Sequence, residues 1–174
     1  VHEVYPRLVY AFSDVVVFAT TATFRQSGRV LDAIIRYSLI GGRALTDVEV
    51  KPRLIIVFNK QAEASLAPGA IEAGAGAGAA AVATAGGGSL ADHETLTSLL
   101  MTPGSSLAPS EHPGGYAELR KYFDDVAVIA LPLFTPECAP LYARQMAAFR
   151  GLVAVAMHAA AVQRARAGQA LRVR

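Results

Sequence analysis

The sequence is poor in the residues that hold small secreted proteins or metal centres together. It contains 174 residues with a single cysteine, Cys138, and no tryptophan. One cysteine excludes an internal disulfide framework and a cysteine-based zinc site, and it is typical of a reducing compartment. The four histidines are scattered without the spacing of metal ligands, so we predict no metal site. These observations favour a cytoplasmic protein.

The chain also lacks a strong excess of positive or negative charge, and it lacks long apolar runs. The formal net charge is +2, and the positive side chains are dispersed apart from a few arginines near the end of the chain. This pattern does not favour binding to nucleic acid. No stretch reaches the roughly 18 uninterrupted apolar residues that a membrane helix requires, so the sequence predicts no transmembrane segment. The first residues resemble neither a signal peptide nor a transit peptide. Since there is no initiating methionine, we expect Val1 to lie inside a larger protein.

What the sequence does have is a large apolar fraction arranged in short runs. Hydrophobic residues make up 53% of the chain and charged residues 17%, which suits one compact domain or part of one. The runs at residues 15–20, 54–58 and 126–131 are rich in β-branched side chains and do not alternate between apolar and polar positions. Such runs predict buried strands of a parallel sheet that is covered on both faces.

Helical patterns separate these runs. Residues 25–45 carry apolar side chains at three-to-four spacing, residues 116–123 form a shorter pattern, and residues 137–167 form a long alanine-rich one. One or two further helical turns are predicted near the start of the chain. The pair Asp124-Asp125 is interpreted as a helix-to-strand turn whose two side chains point in opposite directions. The alternation of helix and strand predicts an α/β fold in three layers, with a mostly parallel sheet and flanking helices.

One stretch does not fit that alternation. Residues 64–113 contain an alternating Gly/Ala tract and a Gly-rich segment, which offer too little side-chain surface for a core. This composition predicts a low-complexity, flexible insertion, with at most a marginal helix at residues 96–101. No G-x-x-x-x-G-K-[ST] or G-x-G-x-x-G sequence lies between a predicted strand and a predicted helix. The chain is thus predicted to divide into residues 1–63, the insertion at 64–113, and residues 114–174.

The second apolar run ends in Asn59-Lys60, and this pair is the most informative motif of the chain. In the guanine-reading sequence N-K-x-D, the Asn ties the loop to the phosphate loop, the Lys stem covers the base plane, and the Asp accepts hydrogen bonds from guanine. Here the fourth position is Ala62. An ordinary polar strand end is the competing interpretation of so short a match.

Two segments around this motif carry a resemblance to a known family. Residues 5–18, YPRLVYAFSDVVVF, and residues 53–60, RLIIVFNK, resemble the second half of a Ras-like P-loop GTPase domain, most similar in style to large dynamin-like or guanylate-binding-type GTPases. The resemblance covers most of the chain outside the insertion. It implies that Asn59, Lys60 and the main chain near Leu133, in the loop after the third strand, contact the base of GTP. It also implies an exposed sheet edge at residues 15–20, because the first strand of such a domain would precede Val1.

The departures from that family define the alternatives. Position 62 holds alanine instead of the aspartate of the motif, so guanine preference is expected to weaken by about 1.5–3 kcal/mol. Glu63 lies one residue too late to replace that aspartate directly. The phosphate loop, the switch residues and the Mg²⁺ ligands would all lie before Val1, so this part alone is expected to have no catalytic residue and no hydrolytic activity. The alternative is a degenerate, catalytically silent domain that serves as an interaction scaffold for a protein partner or for itself.

Overall fold

Three parallel strands form the centre of the fold. The computed structural model describes residues 9, 12–42, 51–61, 92–102 and 115–166. Strands β1 (Val15–Thr20), β2 (Arg53–Gln61) and β3 (Val126–Pro132) form one sheet in the order β1-β2-β3, and both pairings are parallel. The predicted α/β class, with a small parallel sheet and flanking helices, is confirmed.

β2 is the central strand because its side chains are apolar on both faces. Residues 54–58 are all buried, and the strand is paired on both sides. A continuous run of branched and aromatic side chains suits a strand with helices above and below, since no alternate position has to face water. The strand is longer than predicted, because it continues through the polar residues Asn59 and Lys60 to Gln61.

The helices occupy the predicted intervals with changes of type and length. α1 (Ser27–Gly42) follows a short 3₁₀ helix (Phe24–Gln26), α2 spans His93–Met101, and α3 spans Ala139–Arg166. The helix predicted at 116–123 is instead a 3₁₀ helix at Gly115–Lys121. Near the start, the N–H of Ser13 donates to the carbonyl of Val9 at 3.0 Å, as in a helical turn. The rest of the turns predicted there lies outside the described residues, as do residues 43–45.

Each face of the sheet has its own core. On one face, α1, α2 and the second 3₁₀ helix pack around Leu31, Phe58 and Leu119, which are fully buried. On the other face, α3 packs against Ile55 and Ile129. The sheet is therefore the middle of three layers, and only its ends and edges are left for contact with other molecules.

α2 lies within the stretch for which the sequence predicted a flexible insertion. Asp92 Oδ1 accepts the N–H of Thr95 at 2.7 Å and caps the first turn, and this hydrogen bond lowers the pKa of Asp92. Leu96 and Leu100 are 2% and 3% exposed and lie in the core. This part of the stretch thus packs as part of the domain. Residues 62–91 and 103–114 lie outside the described residues, so the division of the chain into three parts stays a prediction.

The β3 edge of the sheet is closed by side chains. The outward N–H of Val128 donates to Thr97 Oγ1 of α2 at 2.9 Å. The N–H of Val126 donates to the Asp125 side chain at 2.9 Å. An unpaired strand edge attracts further strands, and both contacts remove donors that such a strand would use.

The β1 edge has a different character. The parallel register and the hydrogen bond from the Arg53 N–H to the Asp14 carbonyl assign the even-numbered residues of β1 to the ladder with β2. Val15, Val17 and Ala19 therefore turn their N–H and C=O groups away from β2. Val17 is also 44% exposed. Within the described residues the sheet is open at β1, in agreement with the exposed edge expected there.

Asp124 and Asp125 share one arginine. Nη2 of Arg53 lies 2.9 Å from Asp124 Oδ2, and Nη1 lies 3.0 Å from Asp125 Oδ2. The expectation that these two side chains point in opposite directions was wrong, because both residues precede β3 and strand alternation does not yet apply to them. The two ion pairs join the amino-terminal ends of β2 and β3.

Among the described residues, α3 is the one helix that is long and apolar enough to cross a membrane by length and composition. Its most apolar window has a mean hydropathy of 1.3, and 17% of that window is buried. One such helix is only a weak indication of a membrane span, since a helix in a protein core passes the same test. Here one face of α3 packs on the sheet, and Arg164 near its end forms an ion pair with Asp14.

Candidate functional site

The carboxyl-terminal ends of the three strands meet at one edge of the sheet. Since all three strands are parallel, their ends at Thr20, Gln61 and Pro132 lie side by side. In open α/β sheets, ligands bind outside the carboxyl ends of the strands at a point where the strand order reverses; the order β1-β2-β3 contains no such reversal among the described strands. This edge is where the sequence placed its candidate base-binding residues, and we call it the carboxyl edge.

Gln61 ties the loops of the carboxyl edge together. Its side chain is buried, with 2% of its surface exposed, and its Nε2 donates to the carbonyls of Ala22 at 3.0 Å and Asn59 at 2.9 Å. Its own carbonyl accepts the N–H of Leu133 at 3.0 Å. One residue thus contacts the segment after β1, the end of β2 and the segment after β3.

Asn59 and Lys60 form an irregular end to β2. The pairing of β2 with β3 shifts register between Phe58 and Gln61, as at a β-bulge. Lys60 is exposed and has φ = 58°, which lies in the left-handed region that residues with a Cβ rarely adopt. Asn59 Oδ1 accepts the N–H of Lys60 at 2.8 Å and fixes this turn of the chain. The main chain therefore bends at Lys60, at the carboxyl edge.

The loop after β3, residues 133–138, presents apolar side chains at the same edge. Leu133 is 49% exposed and Phe134 is 65% exposed. The Phe134 ring meets Tyr142 of α3 edge to face, with ring centroids 5.2 Å apart. The loop is closed by the N–H of Cys138, which donates to the Thr135 carbonyl at 3.1 Å. Phe134 is therefore exposed to solvent but held on one side.

The segment after β1 is short and polar. Thr20 Oγ1 accepts the N–H of Ala22 at 3.0 Å, and Thr23 begins the first 3₁₀ helix by a reciprocal capping contact with Gln26. The next residue, Phe24, is buried and packs against Phe58 with ring centroids 4.6 Å apart. This anchor holds the Ala22 carbonyl where the Gln61 side chain meets it.

The structure brings the three predicted site residues to one place. Asn59 and Lys60 are consecutive, and Leu133 is hydrogen-bonded to the residue that follows them. Ala62 and Glu63, which bear on base choice, lie outside the described residues. The resemblance implied a main-chain N–H of this loop as a base contact, but the N–H of Leu133 is already donated to Gln61.

Sequence reasoning missed Gln61 and Phe134. Gln61 occupies the variable position of the N-K-x-D pattern, where residue type carries no expectation, and only its burial shows what it does. Phe134 lies two residues beyond the end of β3, where the sequence pattern carries no expectation of burial or exposure. Its exposure depends on the tertiary position of α3.

Two concave regions lie away from the carboxyl edge, and neither is lined by Asn59, Lys60 or Leu133. A cavity of about 250 Å³ borders β1 and is lined by Val17, Ile34 and Phe123 among others. A more open cleft of about 590 Å³ lies between α2 and β3, near Thr97 and Arg120. No group of three or more His, Cys, Asp or Glu side chains able to hold a metal ion occurs within the described part of the chain.

Comparison with known protein families, with curated proteins and with solved structures gave no match to this chain. The assignment of a function therefore depends on the sequence motif and on the geometry of the carboxyl edge.

Proposed function

We propose that this chain is the base-binding half of a GTP-binding, GTP-hydrolysing P-loop domain in a larger cytoplasmic protein. The observation that carries the proposal is the hydrogen bond from Leu133 to Gln61, 3.0 Å long. It brings together the end of β2 and the loop after β3, the two segments that the motif and the resemblance assign to the base.

The two edge strands of the sheet also support the proposal. The order β1-β2-β3, parallel throughout, is open at β1, where Val17 is exposed, and closed at β3 by Thr97. A further strand would therefore add at β1, which is where a phosphate-binding half would attach. That half would supply the phosphate loop, the switch residues and the Mg²⁺ ligands, so the chain by itself binds the base and does not hydrolyse GTP.

Asn59 and Lys60 have separate roles in this proposal, and Leu133 holds its loop beside them through its hydrogen bond to Gln61. The Lys60 stem covers one face of the base, and Asn59 keeps the bulge in place through its hydrogen bond to the Lys60 N–H. In the loop after β3, the main-chain N–H of Phe134 or Thr135 donates a hydrogen bond to the base, because the N–H of Leu133 already donates to Gln61. With Ala62 in place of the acid, discrimination for guanine is reduced by about 1.5–3 kcal/mol.

The second candidate function is a catalytically silent domain that acts as an interaction scaffold. One observation favours it over an ordinary GTPase: Ala62 stands where a carboxylate would read guanine. A scaffold of this kind would keep the fold and lose nucleotide turnover.

The test uses the full-length polypeptide that contains these residues. Its upstream sequence should hold a G-x-x-x-x-G-K-[ST] motif followed by a D-x-x-G motif just ahead of Val1. Equilibrium binding of labelled GTP, ATP and XTP with Mg²⁺ should then show binding of all three, with the spread of affinities reporting how much base choice remains. Absence of both motifs, or of any nucleotide binding, would leave the scaffold as the better account.

A further inference from the structure

Among the described residues, the β1 edge lacks the features that normally keep an edge strand from pairing. Edge strands of natural proteins are usually protected by a charged side chain, a proline or a bulge. Residues 15–20, VVVFAT, contain neither charge nor proline, and their pairing with β2 runs without a register shift. The main-chain N–H and C=O groups of Val15, Val17 and Ala19 face away from β2. Donors and acceptors at alternate residues are what an additional strand pairs with.

An apolar cavity of about 250 Å³ lies directly beside this edge. Its lining includes residues 15–18 of β1, Ile34 and Tyr37 of α1, Leu54 of β2, and Phe123. Ile34, Leu54 and Phe123 are each 1% exposed and belong to the core on the α1 side of the sheet. An apolar cavity of about 150 Å³ is already large enough to hold a benzene ring. The cavity beside β1 therefore has room for one bulky apolar side chain.

The register of β1 determines where such a side chain would come from. Successive side chains of a strand point to opposite faces of the sheet, and laterally paired residues of neighbouring strands point to the same face. Val16 belongs to the core on the α1 side, whereas Val15 packs on the α3 side. On a strand added at β1, the residue beside Val16 therefore projects toward the cavity, and the residues before and after it project toward the α3 side.

We infer that the cavity receives one bulky apolar side chain, a leucine, isoleucine, methionine or phenylalanine, from an extended strand that pairs with β1. The strand belongs to the phosphate-binding half, so the inference rests on the proposed function for the source of the strand and adds the side chain that this edge recognises. Main-chain hydrogen bonds attach the strand, and the cavity beside Val16 sets its register. A strand shifted by one residue would turn the bulky side chain to the opposite face of the sheet.

Hydrogen exchange in the full-length polypeptide, read at single-residue resolution, tests this inference. The N–H groups of Val16 and Phe18, the ladder amides, bond to β2 and report on the domain itself. The N–H groups of Val17 and Ala19, the outward amides, face the added strand. Both sets should be protected to within about tenfold of each other. Fast exchange confined to the outward amides would overturn the inference, because no strand would then cover them.

Substitutions in α1 test the cavity. Ile34→Phe fills the cavity from within the domain, and Leu39→Phe is the matched control, since Leu39 is 41% exposed and does not line the cavity. Ile34→Phe should accelerate exchange of the outward amides at least roughly tenfold more than exchange of the ladder amides, because the incoming side chain has lost its place. Leu39→Phe should accelerate neither set. Equal acceleration of both sets by a folded Ile34→Phe variant would show that the cavity receives no side chain.

A second variant covers the case in which Ile34→Phe does not fold, which circular dichroism checks. Tyr37→Trp enlarges a partly exposed side chain of the same cavity, so the fold should persist. It should accelerate exchange of the outward amides in preference to the ladder amides. Tyr37→Trp with unchanged protection of the outward amides would contradict the inference.

Two further measurements on the full-length polypeptide separate this inference from the proposed function. Equilibrium dialysis of labelled GTP reports nucleotide binding: if GTP binds while the outward amides exchange fast, the strand inference falls and the proposed function stands. If the outward amides are protected and respond to Ile34→Phe but no nucleotide binds, the proposed function falls and the strand serves the scaffold. Sedimentation reports the source of the strand. Protection that is lost on dilution of a dimer to monomers would assign the strand to a second copy and overturn its origin in the same polypeptide.

Discussion

Thr97 Oγ1 accepts the main-chain N–H of Val128 at 2.9 Å, so a side chain from α2 occupies the hydrogen-bonding position of a fourth strand. The same hydroxyl donates to the carbonyl of His93 at 2.6 Å, which orients it toward the strand. Val128 is fully buried, so its N–H has no access to water as an alternative partner. This contact occupies a main-chain donor that a strand added beyond β3 would need.

Thr97→Val should destabilise the protein by about 1–3 kcal/mol, because it keeps the shape of the side chain and leaves a buried N–H without an acceptor. Thr97→Ser keeps the hydroxyl and is the matched control. Urea unfolding monitored by circular dichroism measures both. Equal midpoints for the two variants would show that Thr97 does not close the edge.

Gln61→Leu should cost a similar amount, about 1–3 kcal/mol, since its side chain gives up two hydrogen bonds to buried or partly buried carbonyls. Gln61→Glu should be at least as destabilising at neutral pH, because a carboxylate cannot donate and would face the Ala22 and Asn59 carbonyls. Denaturant unfolding across pH 4 to 8 checks both variants. Recovery of the Glu variant at low pH, where the carboxyl regains a proton to donate, is expected, and a pH-independent loss would argue against this arrangement.

Lys60→Gly should raise the free energy of unfolding by roughly 0.5–1 kcal/mol, because glycine adopts φ = 58° without the steric cost borne by lysine. Lys60→Val should lower it, since a β-branched side chain is strained there. Both substitutions remove the lysine side chain, so both variants should lose its proposed contact with the nucleotide base. Their free energies of unfolding should nevertheless change in opposite directions. Stabilities are read from urea unfolding; a Val variant as stable as the Gly variant would mean that the left-handed turn is not formed in solution.

Tyr116 should make the fold sensitive to alkaline pH. Its hydroxyl donates to the Ser27 carbonyl at 2.8 Å in a buried position, and burial, with a smaller contribution from the charge of Asp32, raises its pKa well above the usual range. Because the unfolded chain gives up this proton near pH 10 and the folded chain keeps it, the unfolded state binds fewer protons above that pH. Stability is therefore fully present below about pH 10 and falls by about 1.4 kcal/mol per pH unit above it for this group.

Tyr116→Phe tests whether Tyr116 makes the stability fall as the pH rises above about 10. At pH 7 the variant should be less stable by about 1 kcal/mol for the lost hydrogen bond, but its stability should fall less steeply between pH 10 and 11 than that of the parent. Parallel slopes in that range would show that Tyr116 is not buried in its neutral form.

The sequence by itself determined the fold class and the location of the motif. Uninterrupted β-branched runs favour strands covered on both faces. That expectation holds for residues 54–58 and nearly all of 126–131, but in residues 15–20 it was wrong, because β1 lies at the sheet edge and only Val16 is buried there. Asn59 and Lys60 were visible because a motif at a strand end is a local pattern.

Only the tertiary structure decided what surrounds that motif. The sequence gives no signal at Gln61, because burial of its amide depends on the Ala22 carbonyl, which reaches it from the segment after β1. The exposure of Phe134 depends on where α3 begins, and the closed edge at β3 depends on Thr97, which lies in a stretch that composition marked as an insertion. The contacts of Gln61 with Ala22 and of Thr97 with Val128 join residues 39 and 31 positions apart, and hydrogen bonds at that separation are fixed by packing, which no local pattern encodes.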